Sequence, residues 1–94
     1  MKIWLDDRRP APPGWHHVMT ITEVKAWFYS DIATIEEMSL DHDLGLFQGT
    51  GYDLVKWMAD TGNWPIKKPL VHSSNPPGRK NMEETIERYF PEEK

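Results

Sequence analysis

Residues 2–7 read Lys2-Ile3-Trp4-Leu5-Asp6-Asp7, a short apolar run that ends in two aspartates. A buried parallel strand has this pattern, because both of its faces are covered by other parts of the protein. The following residues, 8–14, include three prolines and a glycine, which suit neither a helix nor a central strand. The segment therefore predicts a strand with acidic side chains at its carboxyl end, followed by a loop.

Six further elements are predicted along the chain. We expect strands at 17–19, 35–40 and 69–72, and helices from Thr20 to about Tyr29, from Thr50 to near Gly62 and from Pro76 to about Phe90. Thr20 and Thr50 each open a capping-box pattern, and Asn75 is a plausible N-cap before a proline. Strands that alternate with helices predict a parallel sheet with helices on its two faces. The first connection, residues 7–16, is short for a parallel return.

Composition narrows the class of protein. A chain of 94 residues can bury one modest core, and we expect a single domain over 1–94. It has no cysteine, which excludes disulfides and thiolate zinc sites. Without a long apolar run or a signal-peptide pattern, we expect a cytoplasmic protein with no membrane partner. The net charge of −4 argues against bulk binding of nucleic acid but leaves a nucleic-acid end open as a substrate.

Three of the predicted strands end in polar, reactive side chains. These ends are Asp6-Asp7-Arg8, Asp41-His42-Asp43 and His72-Ser73-Ser74-Asn75. Parallel strands direct their carboxyl ends to one edge of a sheet, where ligands bind. Carboxylates that meet there repel one another unless a cation joins them, and oxygen ligands suit Mg²⁺ or Mn²⁺. We therefore expect a metal site, with four candidate ligands: Asp6, Asp7, Asp41 and Asp43.

Simpler roles are open for several of these residues. Asp6 and Asp7 also fit a solvated strand end or a turn cap. Asp43 also fits a residue that shapes the turn before Gly45. His42 is either a catalytic candidate or a partly buried histidine that points into the sheet.

The segment after the fourth strand has the features of an anion site. Ser73-Ser74-Asn75 precedes a helix whose first amides lack internal partners, so a phosphate there would meet free N–H groups and the helix dipole. Gly78 allows close approach, and Arg79 can fork onto phosphate oxygens. Arg8 is a further candidate for phosphate binding. Capping of the helix by Asn75 is compatible with this role.

Three residues are candidates for catalysis: Asp41, His72 and His42. His72 ends a strand beside the expected phosphate, which suits a general acid–base, with a core histidine as the alternative. Asp41 is a candidate metal ligand and, alternatively, a covalent acceptor of phosphate.

Four motifs occur together over almost the whole chain. They are Leu5-Asp6-Asp7-Arg8 with the loop from Pro10 to Trp15, Ser39-Leu40-Asp41-His42-Asp43-Leu44-Gly45, Thr50-Gly51-Tyr52-Asp53, and His72-Ser73-Ser74-Asn75-Pro76-Pro77-Gly78 with Asn81-Met82. In combination they resemble the cyclic-phosphate processing receiver-like domain family, a variant of the response-regulator receiver fold. The resemblance implies a three-layer flavodoxin-like α/β fold, with about four parallel strands in the order 2-1-3-4 and three helices.

The resemblance also implies roles for single residues. Asp6 and Asp7 match the acidic pair of receivers, Asp41 matches their phosphoacceptor position, and Ser73 best matches their hydroxyl residue after the fourth strand. It implies a divalent metal at the aspartates. Two departures argue against ordinary phosphorelay: a proline-rich loop stands where receivers have their first helix, and no fifth strand with its lysine is found.

Two functions follow as hypotheses. The first is a phosphoesterase, dependent on Mg²⁺ or Mn²⁺, that processes cyclic phosphate ends of nucleotides or RNA. The second is a non-catalytic receiver-like module that binds a phosphorylated ligand or a protein partner through its acidic pocket. A multiple-turnover assay separates the two.

Overall fold

Over the described residues, a four-stranded parallel sheet carries three helices. The computed structural model describes residues 1–45 and 48–91. The strands are β1 (Lys2–Leu5), β2 (His16–Val18), β3 (Glu37–Leu40) and β4 (Leu70–Val71), and the helices are α1 (Ile21–Phe28), α2 (Gly51–Thr61) and α3 (Pro76–Tyr89). The strands lie in the order β2-β1-β3-β4, and each neighbouring pair is parallel. The predicted receiver-like topology, with its strand order and its three helices, is confirmed.

The helices begin where the capping residues predict. Thr50 and Asp53 form both hydrogen bonds of a capping box at the start of α2. At α1 only half of the box forms, because the Thr20 hydroxyl accepts the Glu23 amide proton without a return bond to the Thr20 backbone. Gly62, with φ of 73°, ends α2 in the left-handed conformation that glycine adopts without strain. Among the described residues, no helix is long and apolar enough to cross a membrane.

One face of the sheet is apolar. The register pairs Ile3 with Met38 and Leu5 with Leu40, so these four side chains share a face, and all four are fully buried. Apolar side chains from all three helices join the same core: Val24, Leu54, Val55, Met58, Met82 and Ile86. Burial of this surface is the main force that holds the helices to the sheet. We call this side of the sheet the helix-covered face.

The opposite face is polar and aromatic. On the two central strands, β1 and β3, it carries the alternate side chains, namely Lys2, Trp4, Glu37 and Ser39. The Trp4 ring meets Trp15 edge-on at 6.3 Å between centroids, and its indole N–H donates to the Arg9 carbonyl at 3.1 Å. The loop over residues 6–15 therefore covers this side, which we call the loop-covered face.

The described residues thus differ from the expectation of helices on both faces. The physical reason is the short connection between β1 and β2. Residues 6–15 connect β1 to its parallel neighbour β2 as a proline-rich loop. The prolines in this loop leave no room for a crossover helix.

Candidate metal and phosphate site

Three carboxylates meet at the carboxyl edge of the sheet. One oxygen atom from each of Asp6, Asp7 and Asp41 lies within 4.8 Å of the others. The Asp6 amide donates to the Val18 carbonyl at 3.1 Å and the Asp41 amide donates to the Leu5 carbonyl at 2.9 Å. The backbone hydrogen bonds of the sheet therefore extend one residue beyond β1 and β3. They fix the backbone positions of Asp6 and Asp41, from which two of the carboxylates project.

Asp6 is the most buried member of this cluster, at 1% exposure. Burial alone would raise its pKa, but the amides of Arg9 and Arg8 each donate to Oδ1 at 2.8 Å, and His72 contacts Oδ2 at 3.0 Å. Together these hydrogen bonds hold the pKa of Asp6 below its usual value. Asp6 is therefore ionised at neutral pH.

Asp41 has the opposite shift. Burial first, and then the negative charge of Asp6, raise the pKa of Asp41, although the His42 amide donates to its Oδ1 at 2.9 Å. A divalent cation would relieve this repulsion, because it reverses the sign of the local potential. The donor atoms of the cluster are all carboxylate oxygens, which are the ligands of hard cations. The residues present thus fit Mg²⁺ or Mn²⁺.

Asp43 and His42 lie beside the cluster and pair with each other. His42 Nδ1 is 2.9 Å from Asp43 Oδ1, and this contact with His42 is the main cause that lowers the pKa of Asp43. Asp43 Oδ2 also accepts a hydrogen bond from Asn75 Nδ2 at 3.3 Å. The predicted ligand Asp43 therefore lines the same pocket but stands outside the group of three close carboxylates.

The space at Gly78 is occupied by His42. A Cβ atom at Gly78 would lie 2.5 Å from Cγ and Cδ2 of the His42 ring, which is closer than such atoms approach. The absence of a side chain therefore lets α3 pack on the histidine. This corrects the expectation that Gly78 makes room for a phosphate.

The N-terminus of α3 also differs from the predicted anion site. Its first two residues, Pro76 and Pro77, have no N–H group. The Gly78 amide donates to Asn75 Oδ1 at 3.1 Å, and the Arg79 amide donates to the Asn75 carbonyl at 2.8 Å. The first turn thus offers no free amide to a phosphate, because the two prolines remove donors and the cap engages the next.

The two predicted serines, Ser73 and Ser74, differ in exposure at this edge of the sheet. Ser73 is buried, at 5% exposure, and its Oγ accepts the Asn75 amide at 3.0 Å, so it stabilises the turn before α3. Ser74 is exposed and lines the pocket. Of the two hydroxyls, only that of Ser74 is at the pocket surface.

Arg9, which was not among the predicted site residues, also lies at this edge of the sheet. Arg79 instead donates from Nε to Glu83 at 3.1 Å and lines a groove beside β4, because its position on the helix is rotated away from that of Gly78. Arg9 donates from Nη1 to the His72 carbonyl at 2.9 Å and from Nη2 to Ser74 Oγ at 3.2 Å. The signal for it was its place beside Arg8, directly after the acidic pair.

These side chains surround one pocket of about 250 Å³. Its described lining consists of Asp6, Asp7, Arg8, Arg9, Asp41, Asp43, Gly45 and Ser74. A larger groove, of about 440 Å³, runs between α2 and α3, but the described residues that line it include no comparable cluster of carboxylates. Chemistry rather than size thus selects the smaller pocket as the candidate site.

His72 lies behind the acidic cluster, with both ring nitrogens in internal contacts. Nε2 is 3.0 Å from Asp6 Oδ2 and Nδ1 is 2.8 Å from Ser39 Oγ. The ring stacks on Trp4, with 3.8 Å between centroids and 5° between planes. Burial lowers the pKa of His72, against the opposing effect of Asp6. The sequence signal for Ser39 was a hydroxyl between two apolar residues of a buried strand.

Comparison with known families agrees with this architecture. The family model described as "Cyclic-phosphate processing Receiver domain" matches residues 1–88 of the 94. The chain has no significant match among the curated proteins or the solved structures. The family match spans all four strands, the acidic strand ends and nearly all of α3. The chain therefore belongs to the cyclic-phosphate processing receiver domain family.

Proposed function

We propose that this domain is a phosphoesterase, dependent on a divalent metal, that processes cyclic phosphate ends of nucleotides or RNA. The observation that supports this proposal most directly is the group of three carboxylates. Their oxygen atoms lie within 4.8 Å of one another, and two arginines line the same pocket. A pocket with both charges suits a metal ion and a phosphoryl group bound side by side. The family description links such domains to cyclic phosphates.

Binding of the substrate needs both kinds of charge. A cyclic phosphodiester is an anion, so three carboxylates without a cation would repel it. When bound, Mg²⁺ or Mn²⁺ supplies Lewis-acid polarisation of the phosphoryl group and a lower pKa for water. Arg9 uses two of its five N–H donors on His72 and Ser74, and we assign the remaining donors to the phosphoryl oxygens. Arg8, on the same rim, adds a second positive charge.

Proton transfer falls to Asp41 in this proposal. Its carboxylate lines the pocket, so it can take a proton from an attacking water molecule, while solvent supplies the proton for the ring oxygen that leaves phosphorus. The predicted alternatives, His72 and His42, are not among the described residues that line the pocket. His72 also has both ring nitrogens engaged, and His42 is packed against Gly78.

A multiple-turnover assay tests the proposal. A 2′,3′-cyclic nucleotide and an RNA with a cyclic end are incubated with the protein and either Mg²⁺ or Mn²⁺, and the ring-opened product is measured by chromatography. We expect turnover that EDTA abolishes. We expect Asp41→Asn to lower the rate by about 10²-fold or more, the typical effect of losing an acid–base group.

The matched control is Asp60→Asn, which removes the same charge from an exposed position on α2 outside this pocket. It should retain the wild-type rate, with circular dichroism as the check on folding for both variants. If the wild-type protein opens neither substrate with either metal ion, the phosphoesterase proposal fails. Binding of the same ligands without turnover would then favour the non-catalytic module.

A further inference from the structure

We propose that Ser39 and His72 form a hydrogen-bonded chain that positions Asp6, so that Asp6 offers one lone pair, on Oδ2, to a divalent cation. The inference rests on the proposed function for the identity of that cation. It assigns a role to two residues that lie behind the pocket rather than on its surface.

The chain is short and almost entirely enclosed. Ser39 Oγ is 2.8 Å from His72 Nδ1, and His72 Nε2 is 3.0 Å from Asp6 Oδ2. Ser39 is 4% exposed and the side chains of His72 and Asp6 are 15% and 1% exposed. Water therefore competes little for these contacts, and in such surroundings hydrogen bonds are strong and a missing partner is costly.

The direction of the protons follows from the chemistry of the groups. An ionised carboxylate can only accept hydrogen bonds, so Nε2 of His72 must carry the proton that lies toward Asp6. In the neutral ring Nδ1 is then an acceptor, and the Ser39 hydroxyl donates to it. The other neutral tautomer would direct a lone pair of Nε2 at a carboxylate oxygen 3.0 Å away.

The remaining capacity of Asp6 is small. Its Oδ1 accepts two backbone N–H groups, from Arg8 and Arg9, both at 2.8 Å, which use both of its lone pairs. Its Oδ2 uses one of two lone pairs on His72. One lone pair is left, so Asp6 can act only as a monodentate ligand, and Asp7 and Asp41 supply the other carboxylate contacts.

Trp4 holds the plane of the histidine ring. The two rings are parallel to within 5° at 3.8 Å between centroids, and the Trp4 indole is itself anchored to the Arg9 carbonyl at 3.1 Å. A partial rotation of the imidazole about χ2 would break this stack together with both hydrogen bonds, and a half turn would keep the stack but replace both nitrogens by ring carbons. The orientation of the donor at Asp6 is therefore set by three independent contacts.

Two substitutions at His72 separate positioning from simple packing. His72→Phe keeps a flat ring against Trp4 but removes both hydrogen bonds. His72→Gln loses the ring but places an amide N–H near the position of Nε2. Mn²⁺ affinity, measured by calorimetry, should fall by roughly 10–100-fold in His72→Phe, the usual effect of losing an outer partner of a metal ligand, and by only a few-fold in His72→Gln.

The opposite order, with His72→Phe like the wild type and His72→Gln weaker, would assign His72 to packing and overturn the proposal, as would equal loss in both variants. Thermal unfolding of each variant controls for the fold. A metal-free measurement also addresses the chain itself: nitrogen-15 NMR of the wild-type imidazole should show a proton on Nε2, the nitrogen that faces Asp6.

An imidazole without a proton on Nε2 would overturn the chain regardless of any metal result, and this measurement decides the matter if His72→Phe does not fold. Failure of the wild-type protein to bind Mn²⁺ is a different outcome. It overturns the proposed metal site and the role of Asp6 toward a cation, while the tautomer still decides whether Ser39 and His72 position the carboxylate.

Discussion

The two faces of the sheet are built in different ways. The helix-covered face joins fully buried aliphatic side chains, such as Leu5 and Leu40, to apolar residues of all three helices. The loop-covered face joins single partners at defined distances: Trp4 on His72, His72 on Asp6, and the Lys2 ammonium on Glu37 at 3.2 Å. The first depends on the total apolar area that is buried, and the second depends on individual geometries.

This difference assigns separate tasks to the faces. Aliphatic packing tolerates exchange among side chains of similar volume, so the helix-covered face supplies stability without defining any one contact. A hydrogen bond or a ring stack fails when one partner changes, so the loop-covered face can define the position of a carboxylate such as Asp6. We therefore expect substitutions on the two faces to have separable effects on stability and on ligand binding.

The largest expected effect tests the helix-covered face. Leu54 is fully buried on α2, and Leu54→Ala should lower the free energy of unfolding by about 2–5 kcal/mol, because it removes apolar contacts and leaves a cavity. Urea denaturation measures this change. Ile32→Ala, at a position 87% exposed, is the control and should stay within about 0.5 kcal/mol. Loss of Mn²⁺ affinity in folded Leu54→Ala would contradict the separation of the faces.

The next effect tests the loop-covered face. Ser39→Ala leaves the buried Nδ1 of His72 without its hydroxyl donor, which should cost about 1–3 kcal/mol of stability. Ser30→Ala, just after α1, removes a hydroxyl whose hydrogen bond with the Ile32 amide is exposed, and it is the matched control for urea denaturation. We also expect Ser39→Ala to weaken Mn²⁺ binding. Unchanged stability and unchanged affinity together would show that the hydroxyl is dispensable.

A third effect separates Arg9, which was not among the predicted site residues, from Arg79, which was predicted to bind phosphate. Arg9→Gln should weaken binding of inorganic phosphate, measured by calorimetry with Mg²⁺ present, by roughly tenfold, because it removes a charged hydrogen-bond donor from the pocket. Arg79→Gln makes the same change beside β4 and should leave the affinity within about twofold, because an exposed charge acts weakly at a distance. Equal losses would place the anion elsewhere than beside Arg9.

The smallest expected effect concerns pH. Burial and the charge of Asp6 raise the pKa of Asp41, so the folded protein holds the Asp41 proton more tightly than the unfolded chain, whose value is 3.8. Above pH 3.8 the folded state therefore binds more protons at this site, and its stability falls as pH rises toward the folded pKa. Asp41→Asn lacks this dependence.

Without divalent metal, Asp41→Asn should therefore gain stability relative to the wild type as pH increases from 3.8 toward neutrality. Thermal unfolding across this range measures the difference, and Asp60→Asn again controls for loss of one surface charge. Addition of Mg²⁺ should reduce the advantage of the variant, because only the wild type retains the carboxylate. A difference that shrinks as pH rises would contradict the raised pKa.

Much of the fold and the outline of the site were predictable from local signals. An apolar run that ends in two aspartates located β1, and the segment 35–40 before Asp41 located β3. The capping patterns at Thr50 and Asn75 located the starts of α2 and α3. The expected meeting of Asp6, Asp7 and Asp41 needed only the rule that parallel strands share their carboxyl edge. These signals act within a few residues or follow from topology, so they can be recognised in a single sequence.

Other features could not be predicted because they depend on where side chains point after folding. The sequence suggested that Arg79 binds a phosphate, but its position on the helix directs it toward Glu83. Arg9 instead lies at the pocket, where it donates to Ser74, a residue 65 positions later in the chain. The prediction of free amides at α3 was wrong for a local reason. The two prolines that remove them are visible in the sequence.

The sequence by itself determined the order of strands and helices, the helix caps and the acidic edge of this receiver domain, because periodicity, capping and strand ends are local properties. Only the tertiary structure decided that the helices share one face, that Gly78 accommodates His42, and that His72 is held between Ser39 and Asp6. Those outcomes depend on distances between residues far apart in the chain, and such distances exist only once the backbone has folded.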